Sequence, residues 1–288
     1  MKYDFNPIRA HRKAELNYLE KWFGLEHLNA KQIPVTLSGS TRISPEKIFV
    51  TCFDFKSMLR SLLTDKSLFG TLDNLDVNKN DPFAHYDSRN KHISCANGGS
   101  WYKSAWKHLC KEPKDFLVPI IFACDETKMG KCGACPLLFT TSLLNQTCRN
   151  KTSAWRPLGF IYDLDLLQSH QQKKRMSAEM KSLRLHQVFK AVLESFRQAQ
   201  EGSLLANISL MLGENNSKTV NLKVPLFFII GDMQGGDKIC CTTTSYGHTL
   251  NRPCRKCNVQ GSSLKDRILP FWNHSAKHRK DPSLQTSL

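Results

Sequence analysis

Two short, very apolar runs each end in an aspartate: Pro119-Ile-Ile-Phe-Ala-Cys-Asp125 and Val224-Pro-Leu-Phe-Phe-Ile-Ile-Gly-Asp232. Continuous Ile and Phe runs of this length read as strands buried on both faces. A carboxylate placed where such a strand leaves the core sits at the mouth of a sheet, where sites of open α/β sheets lie. Two of them can share a divalent metal, because hard oxygen ligands suit Mg²⁺. One Asp after an apolar run ordinarily marks only a loop start. Two, with the chain that separates them, point to a metal-dependent nuclease type of core.

Between the two runs the sequence spells out a sheet with one crossover. The first run meets a Gly/Cys turn over Met129–Cys135, then a second strand over Leu137–Leu144. A polar, basic segment from Asn145 leads into a third strand, Trp155–Tyr162. Such short connections make an antiparallel meander. Leu185, Val188, Phe189, Val192, Leu193 and Phe196 then fall at helical spacing, with Gly202 as the stop. A Ser/Asn-rich stretch leaves room for an extra hairpin, Leu205–Leu212 with Thr219–Lys223, before the second run. Three strands, a crossover helix and a fourth strand place the fourth parallel beside the first. The expectation is an α/β (α+β) mixed sheet that brings Asp125 and Asp232 to adjacent strand ends.

Residues 1–115 read as a mostly helical, irregular region preceding this core. Leu16, Leu19, Trp22 and Phe23 share one helical face, and Phe55, Leu59, Leu62 and Leu63 mark a second helix starting near Pro45 or Asp54. The stretch Asp73–Gly99 reads as an extended surface loop, and Ser100 as the cap of a third helix carrying Tyr102, Ala105, Trp106 and Leu109. The core is assigned to residues 116–240, and residues 241–288 to a cysteine- and histidine-containing insertion.

Charge narrows the partner. Lys plus Arg number 41 against 25 acids in 288 residues, a net charge of +16. That balance favours a polyanion, nucleic acid before an anionic membrane, while a basic protein with no such partner is the plain alternative. The eleven cysteines are an odd, scattered set, and the N-terminus shows no apolar signal core. A reducing, intracellular compartment therefore fits better than a disulfide framework. No apolar run approaches membrane-spanning length. Gln171-Gln-Lys-Lys-Arg175 is either a solvated helix start or a short nuclear import signal.

Asp125 and Asp232 are the candidate catalytic pair and Mg²⁺ (or Mn²⁺) ligands; strand-end carboxylates in water are the plain alternative. Cys254-Arg-Lys-Cys257 has the spacing of half a zinc site, and His274 and His278 stand four apart downstream. Free thiols in a basic loop are the alternative there. Cys132-Gly-Ala-Cys135 repeats the spacing but falls in a strand-to-strand turn and reads as incidental. Arg149, Lys151 and Arg156 beside Trp155 can contact phosphates, with the indole as a stacking surface; a solvated turn with a core Trp is equally open. Gly231-Asp-Met-Gln-Gly-Gly236 lacks phosphate-loop spacing, and no Gly-x-Ser-x-Gly or His-Glu-x-x-His is present.

Several phrases, in order, carry a resemblance: Leu68-Phe-Gly-Thr-Leu-Asp-Asn-Leu, Trp101-Tyr, Phe116-Leu-Val-Pro-Ile-Ile-Phe-Ala-Cys-Asp-Glu-Thr, Arg149-Asn-Lys-Thr-Ser-Ala-Trp-Arg-Pro-Leu-Gly-Phe and Phe228-Ile-Ile-Gly-Asp-Met-Gln-Gly-Gly-Asp-Lys. From about Phe69 to Cys257 the chain resembles transposase-like reading frames of eukaryotic mobile elements, in or near the Plavaka and Kyakuja–Dileera–Zisupton group. The resemblance implies an RNase H-like fold with a DDE-type catalytic set, divalent metal and action on DNA at transposon ends. Asp125 matches the first acid, Asp232 the second, and Cys254 and Cys257 the cysteine-rich insertion after it. It also implies a third acid on a helix beyond that insertion, and the sequence around Asp266 and Asp281 does not read as a helix. The expectation is therefore a fragment of a DDE-type transposase with little strand-cleavage activity. The alternative is a non-catalytic nucleic-acid-binding derivative with a zinc-stabilised loop. Homo-oligomerisation and a nuclear location are compatible with either.

Overall fold

The computed structural model describes residues 30–39, 44–86, 96–124, 127–129, 132–162, 178–201, 204–214 and 216–231. The chain divides into two compact units, Met1–Ile230 and Gly231–Leu288. All described residues but Gly231 belong to the first.

A mixed sheet organises that unit. Its strands are β1 (Lys31–Leu37), β2 (Glu46–Cys52), β4 (Ile120–Cys124), β5 (Thr127–Met129), β6 (Cys132–Thr141), β7 (Arg156–Tyr162) and β10 (Leu226–Ile230). The order is β1-β2-β7-β6-β4-β10, with β5 paired to β6. β4, β6 and β7 form the antiparallel meander, and β10 returns parallel to β4. The expected crossover is present: the helix α5 (Ala178–Glu201) lies between β7 and β10 in sequence. A second, three-stranded sheet joins β3 (Asp115–Leu117), β9 (Ser217–Lys223) and β8 (Ile208–Met211) in the order β3-β9-β8. The expected hairpin after α5 is thus formed, but it pairs with β3 and not with the main sheet.

The core is aromatic where helices meet the main sheet. α1 (Phe55–Leu63) buries Phe55, Met58, Leu59, Leu62 and Leu63, and Asp54 caps it by accepting from the Ser57 backbone N–H at 2.9 Å; the short α2 (Lys66–Phe69) follows. Phe196 of α5 lies 4.9 Å from Phe55 and 5.0 Å from Phe122 of β4, both edge-on, and Phe55 lies 5.0 Å from Phe139 of β6. α5 buries Val188, Val192 and Phe196 of the expected stripe together with Arg184 and Ala199, while Leu185, Phe189 and Leu193 are half-buried. Gly159 of β7 lets this helix approach: a Cβ there would stand 2.7 Å from Val192 Cγ1 and 2.8 Å from the Thr51 carbonyl oxygen. In this position the absence of a side chain is a packing requirement.

The N-terminal region differs from the helical expectation. β1 and β2 form an antiparallel hairpin that joins the main sheet through Cys52 opposite Gly159. The physical reason is alternation: Ile33, Val35 and Leu37 share one face of β1, and Pro34 is tolerated because, among the described residues, β1 ends the sheet. Arg184, 1% exposed, clamps the hairpin by donating to the Ser38 carbonyl at 2.9 Å and to Glu46 Oε2 at 3.3 Å. The helix expected over residues 16–23 lies outside the described residues.

Three smaller expectations are also corrected. Asp73–Gly99 is not simply a surface loop: Leu75 and Val77 are buried, and Leu75 bridges to Leu144. Buried Asn97 binds the Asp76 carbonyl at 2.7 Å and the Ser142 carbonyl at 3.1 Å, so this segment is tied to the end of β6. α3 (Ser100–Leu109) is capped at Gly99 without a side-chain hydrogen bond, so Ser100 is its first residue and not its cap. Cys132–Cys135 lies in β6, which starts five residues early because β5 pairs with it.

Asp115 opens β3, paired with Asn221 of β9, and its side chain is 2% exposed. Burial alone would raise its carboxyl, but the backbone N–H groups of Glu112 and Lys111 and the nearby Lys223 ammonium hold it below the usual carboxylate range. The two N–H groups donate to Oδ2 at 3.0 and 2.9 Å, while Lys223 Nζ stands 3.4 Å from Oδ1 as an ion-pair partner without hydrogen-bond geometry. A depressed folded-state value stabilises the protein above the unfolded-state value and the benefit is lost as pH falls through the folded one. Urea midpoints measured from neutral pH down to about pH 2 are expected to fall more steeply for the native chain than for Asp115→Asn. Gly159→Ala is expected to cost about 1–3 kcal/mol in the same denaturation assay, only partly restored by Val192→Ala because the Thr51 carbonyl remains in the way.

Candidate functional site

The parallel pair β4 and β10 sets the geometry of the candidate site. Its register is Leu226 opposite Ile120, Phe228 opposite Ile121, Ile229 opposite Phe122 and Ile230 opposite Ala123. An irregularity between Leu226 and Phe228 offsets the pairing by one residue. Without that offset the last paired positions would not be Ala123 and Ile230. Both strands run toward the same end of the sheet, and Asp125 and Asp232 each follow a paired position by two residues in sequence. The two aspartates themselves lie outside the described residues, as do Cys254, Cys257, His274 and His278. Among the described residues no group of three or more His, Cys, Asp or Glu side chains could hold a metal ion.

The two strands differ in burial, against the expectation that both are covered on both faces. Ile120, Ile121, Phe122 and Cys124 of β4 are buried. On β10, Leu226, Phe228, Ile229 and Ile230 are 37–45% exposed. The cause is position: among the described residues β4 lies between β6 and β10, whereas β10 ends the sheet. Phe227 is the exception, with its ring 4.5 Å from that of Trp101 on α3.

The basic turn after β6 is described in full, and most of its charge is engaged within the protein. α4 (Gln146–Arg149) is capped by Asn145, whose Oδ1 accepts from the Cys148 N–H at 2.9 Å. Arg149 donates to the Leu144 and Ser142 carbonyls and lies 3.8 Å from Asp76. Burial raises the Asp76 carboxyl, with Arg149 and Lys79 opposing. Arg156, its side chain 7% exposed, meets Asp65 at 3.2 Å and donates to Ser61 Oγ at 3.0 Å and the Ser153 carbonyl at 2.5 Å. Burial lowers its guanidinium pKa, and Asp65 opposes that shift. The Trp155 indole N–H donates to the Arg149 carbonyl at 2.7 Å. Of the four residues proposed for phosphate contact, Lys151 is the one classed as exposed.

Sequence reasoning had no means of pairing Arg156 with Asp65, ninety-one positions upstream. It also missed the meeting of Cys124 and Cys135, whose sulfurs stand 2.7 Å apart. The signal for the second was present in the strand-end position of Cys124 and the Cys-x-x-Cys of β6, but only the register joins them.

The arginine and lysine roles separate experimentally. Arg156→Ala leaves Asp65 without its guanidinium and is expected to cost about 2–3 kcal/mol in urea denaturation. Lys151→Ala is expected to stay within about 0.5 kcal/mol of native stability. Where the turn meets nucleic acid, Lys151→Ala also lowers the salt slope of DNA binding by about one.

No curated protein matches the chain. The family model described as Plavaka transposase matches residues 28–281, which takes in the mixed sheet, α5 and both aspartate-terminated runs. The chain belongs to the Plavaka transposase family.

Proposed function

We propose that this chain provides a DDE-type transposase core acting on DNA phosphodiesters, with Asp125 and Asp232 as two of its catalytic carboxylates. The observation that carries the reading is the parallel register of β4 and β10. Each aspartate is two residues, at most about 7 Å of extended chain, beyond the Ala123–Ile230 pair. Carboxylate oxygens are the donors that Mg²⁺ or Mn²⁺ takes. When bound, such ions lower the pKa of an attacking water and stabilise the leaving oxygen of an in-line displacement. In this reading the part of Asp125 and Asp232 is to supply the negative charge and the carboxylate oxygens that such an ion needs. Family membership and the net charge of +16 support DNA as the partner.

Cys254 and Cys257, with His274 and His278, are proposed as zinc ligands that order the segment after the second acid. The net charge also supports a second reading, a DNA-binding protein of transposase descent in which the carboxylates no longer cleave.

Mn²⁺ binding to the purified chain, followed by calorimetry, tests the site without requiring turnover. Binding is expected to weaken at least tenfold, about 1.4 kcal/mol, for Asp125→Ala and for Asp232→Ala. Nicking of DNA that survives both substitutions would overturn the assignment. Steeply salt-dependent DNA binding with Mn²⁺ affinity unchanged in both variants would favour the second reading.

A further inference from the structure

Cys124 and Cys135 lie on adjacent antiparallel strands at the end of the sheet from which the chain runs on to Asp125. Cys124 pairs with Leu137, so Cys135, two residues away along β6, points to the same face as a diagonal neighbour. The right-handed twist of a sheet brings one diagonal of each pair close. Here it does so for two thiols, whose sulfurs are 2.7 Å apart. That spacing does not suit a metal: two thiolates on one tetrahedral zinc, each about 2.3 Å from it, stand about 3.8 Å apart. It suits a covalent link.

We propose that Cys124 and Cys135 are a site of reversible oxidative modification, joined as an intramolecular disulfide when a small-molecule disulfide such as oxidised glutathione is present. Cys124 is 3% exposed and Cys135 is half-buried, so Cys135 is the entry point. Its sulfur, after losing its proton, attacks the small disulfide and releases one thiol. Cys124 then attacks the mixed disulfide at the Cys135 sulfur, loses its proton and expels the second thiol. Two protein thiols become one S–S bond, and the two electrons and two protons leave on two small thiols. The link fastens β4 to β6, and so locks the β4 end of the sheet in its paired state while oxidising conditions last. The inference does not depend on whether Asp125 binds metal.

The test is to equilibrate the full chain with oxidised glutathione, block remaining thiols with iodoacetamide and map peptides without reduction. The expected result is a Cys124–Cys135 cross-linked peptide, lost on dithiothreitol treatment and absent from Cys124→Ser and Cys135→Ser. Cys132→Ser is expected to retain it, which separates this link from one within the Cys-x-x-Cys. A Cys132–Cys135 link in its place, or Cys124 alkylated as fully after oxidation as before, would overturn the proposal. Circular dichroism of each serine variant guards against loss of fold, and the Cys132→Ser result stands without either of the other two.

Discussion

Phe55, Phe122, Phe139 and Phe196 come from four different elements and meet in one cluster at the heart of the main sheet. Each is at most 5% exposed, and each edge-on pair contributes about 0.5–1.5 kcal/mol beyond the burial of its surface. The cluster matters because of which elements it joins. Phe122 stands three residues before Asp125, Phe139 lies opposite it in the register, and Phe196 holds the crossover helix over both. Gly159 permits the same helix to settle farther along the sheet, so one helix meets β4 through Phe122 and β7 at Gly159, and packs on β1 and β2 as well.

Around that apolar centre, buried arginines do structural work that a charge count does not anticipate. Arg184 fastens the β1–β2 hairpin to α5, and Arg156 fastens the start of β7 to the loop after α1 through Asp65. A guanidinium tolerates such sites because its five donors can all be met by carbonyls and carboxylates. The net charge of +16 therefore overstates the charge offered to a polyanion. Arg149 and Arg156, which in the sequence sit in a basic turn open to phosphate, are engaged by protein carbonyls and acids, and Lys151 carries the exposed charge of that turn.

The meander of β4, β6 and β7, the long helix and the parallel return of β10 were legible because each rests on local periodicity and on the single hand of crossover connections. The β1–β2 hairpin was not read from the sequence, which was taken as helical there: Ile33, Val35 and Leu37 do alternate, but Pro34 within so short a run argues against a strand. The β8–β9 hairpin was read correctly as a hairpin, yet its pairing with β3 was not, since Asp115–Leu117 is too short to carry a period of its own. Of the candidate site, the convergence of the two aspartate-terminated runs was legible. The uneven burial of those runs was not, because an edge strand and a central strand can have the same composition.

The sequence by itself determined the strand-helix-strand order, the two apolar runs that place Asp125 and Asp232 beyond neighbouring strands, and membership of the family through motifs in a fixed order. These depend on residues close in the chain, where period and turn chemistry act directly. Only the tertiary structure decided that Arg156 meets Asp65, that Asp115 lies buried beside Lys223, and that Cys124 and Cys135 come into contact. Each of those depends on strand register or on helix-to-sheet packing. Register shifts of a single residue turn every side chain to the opposite face, so no local reading of composition can choose among them.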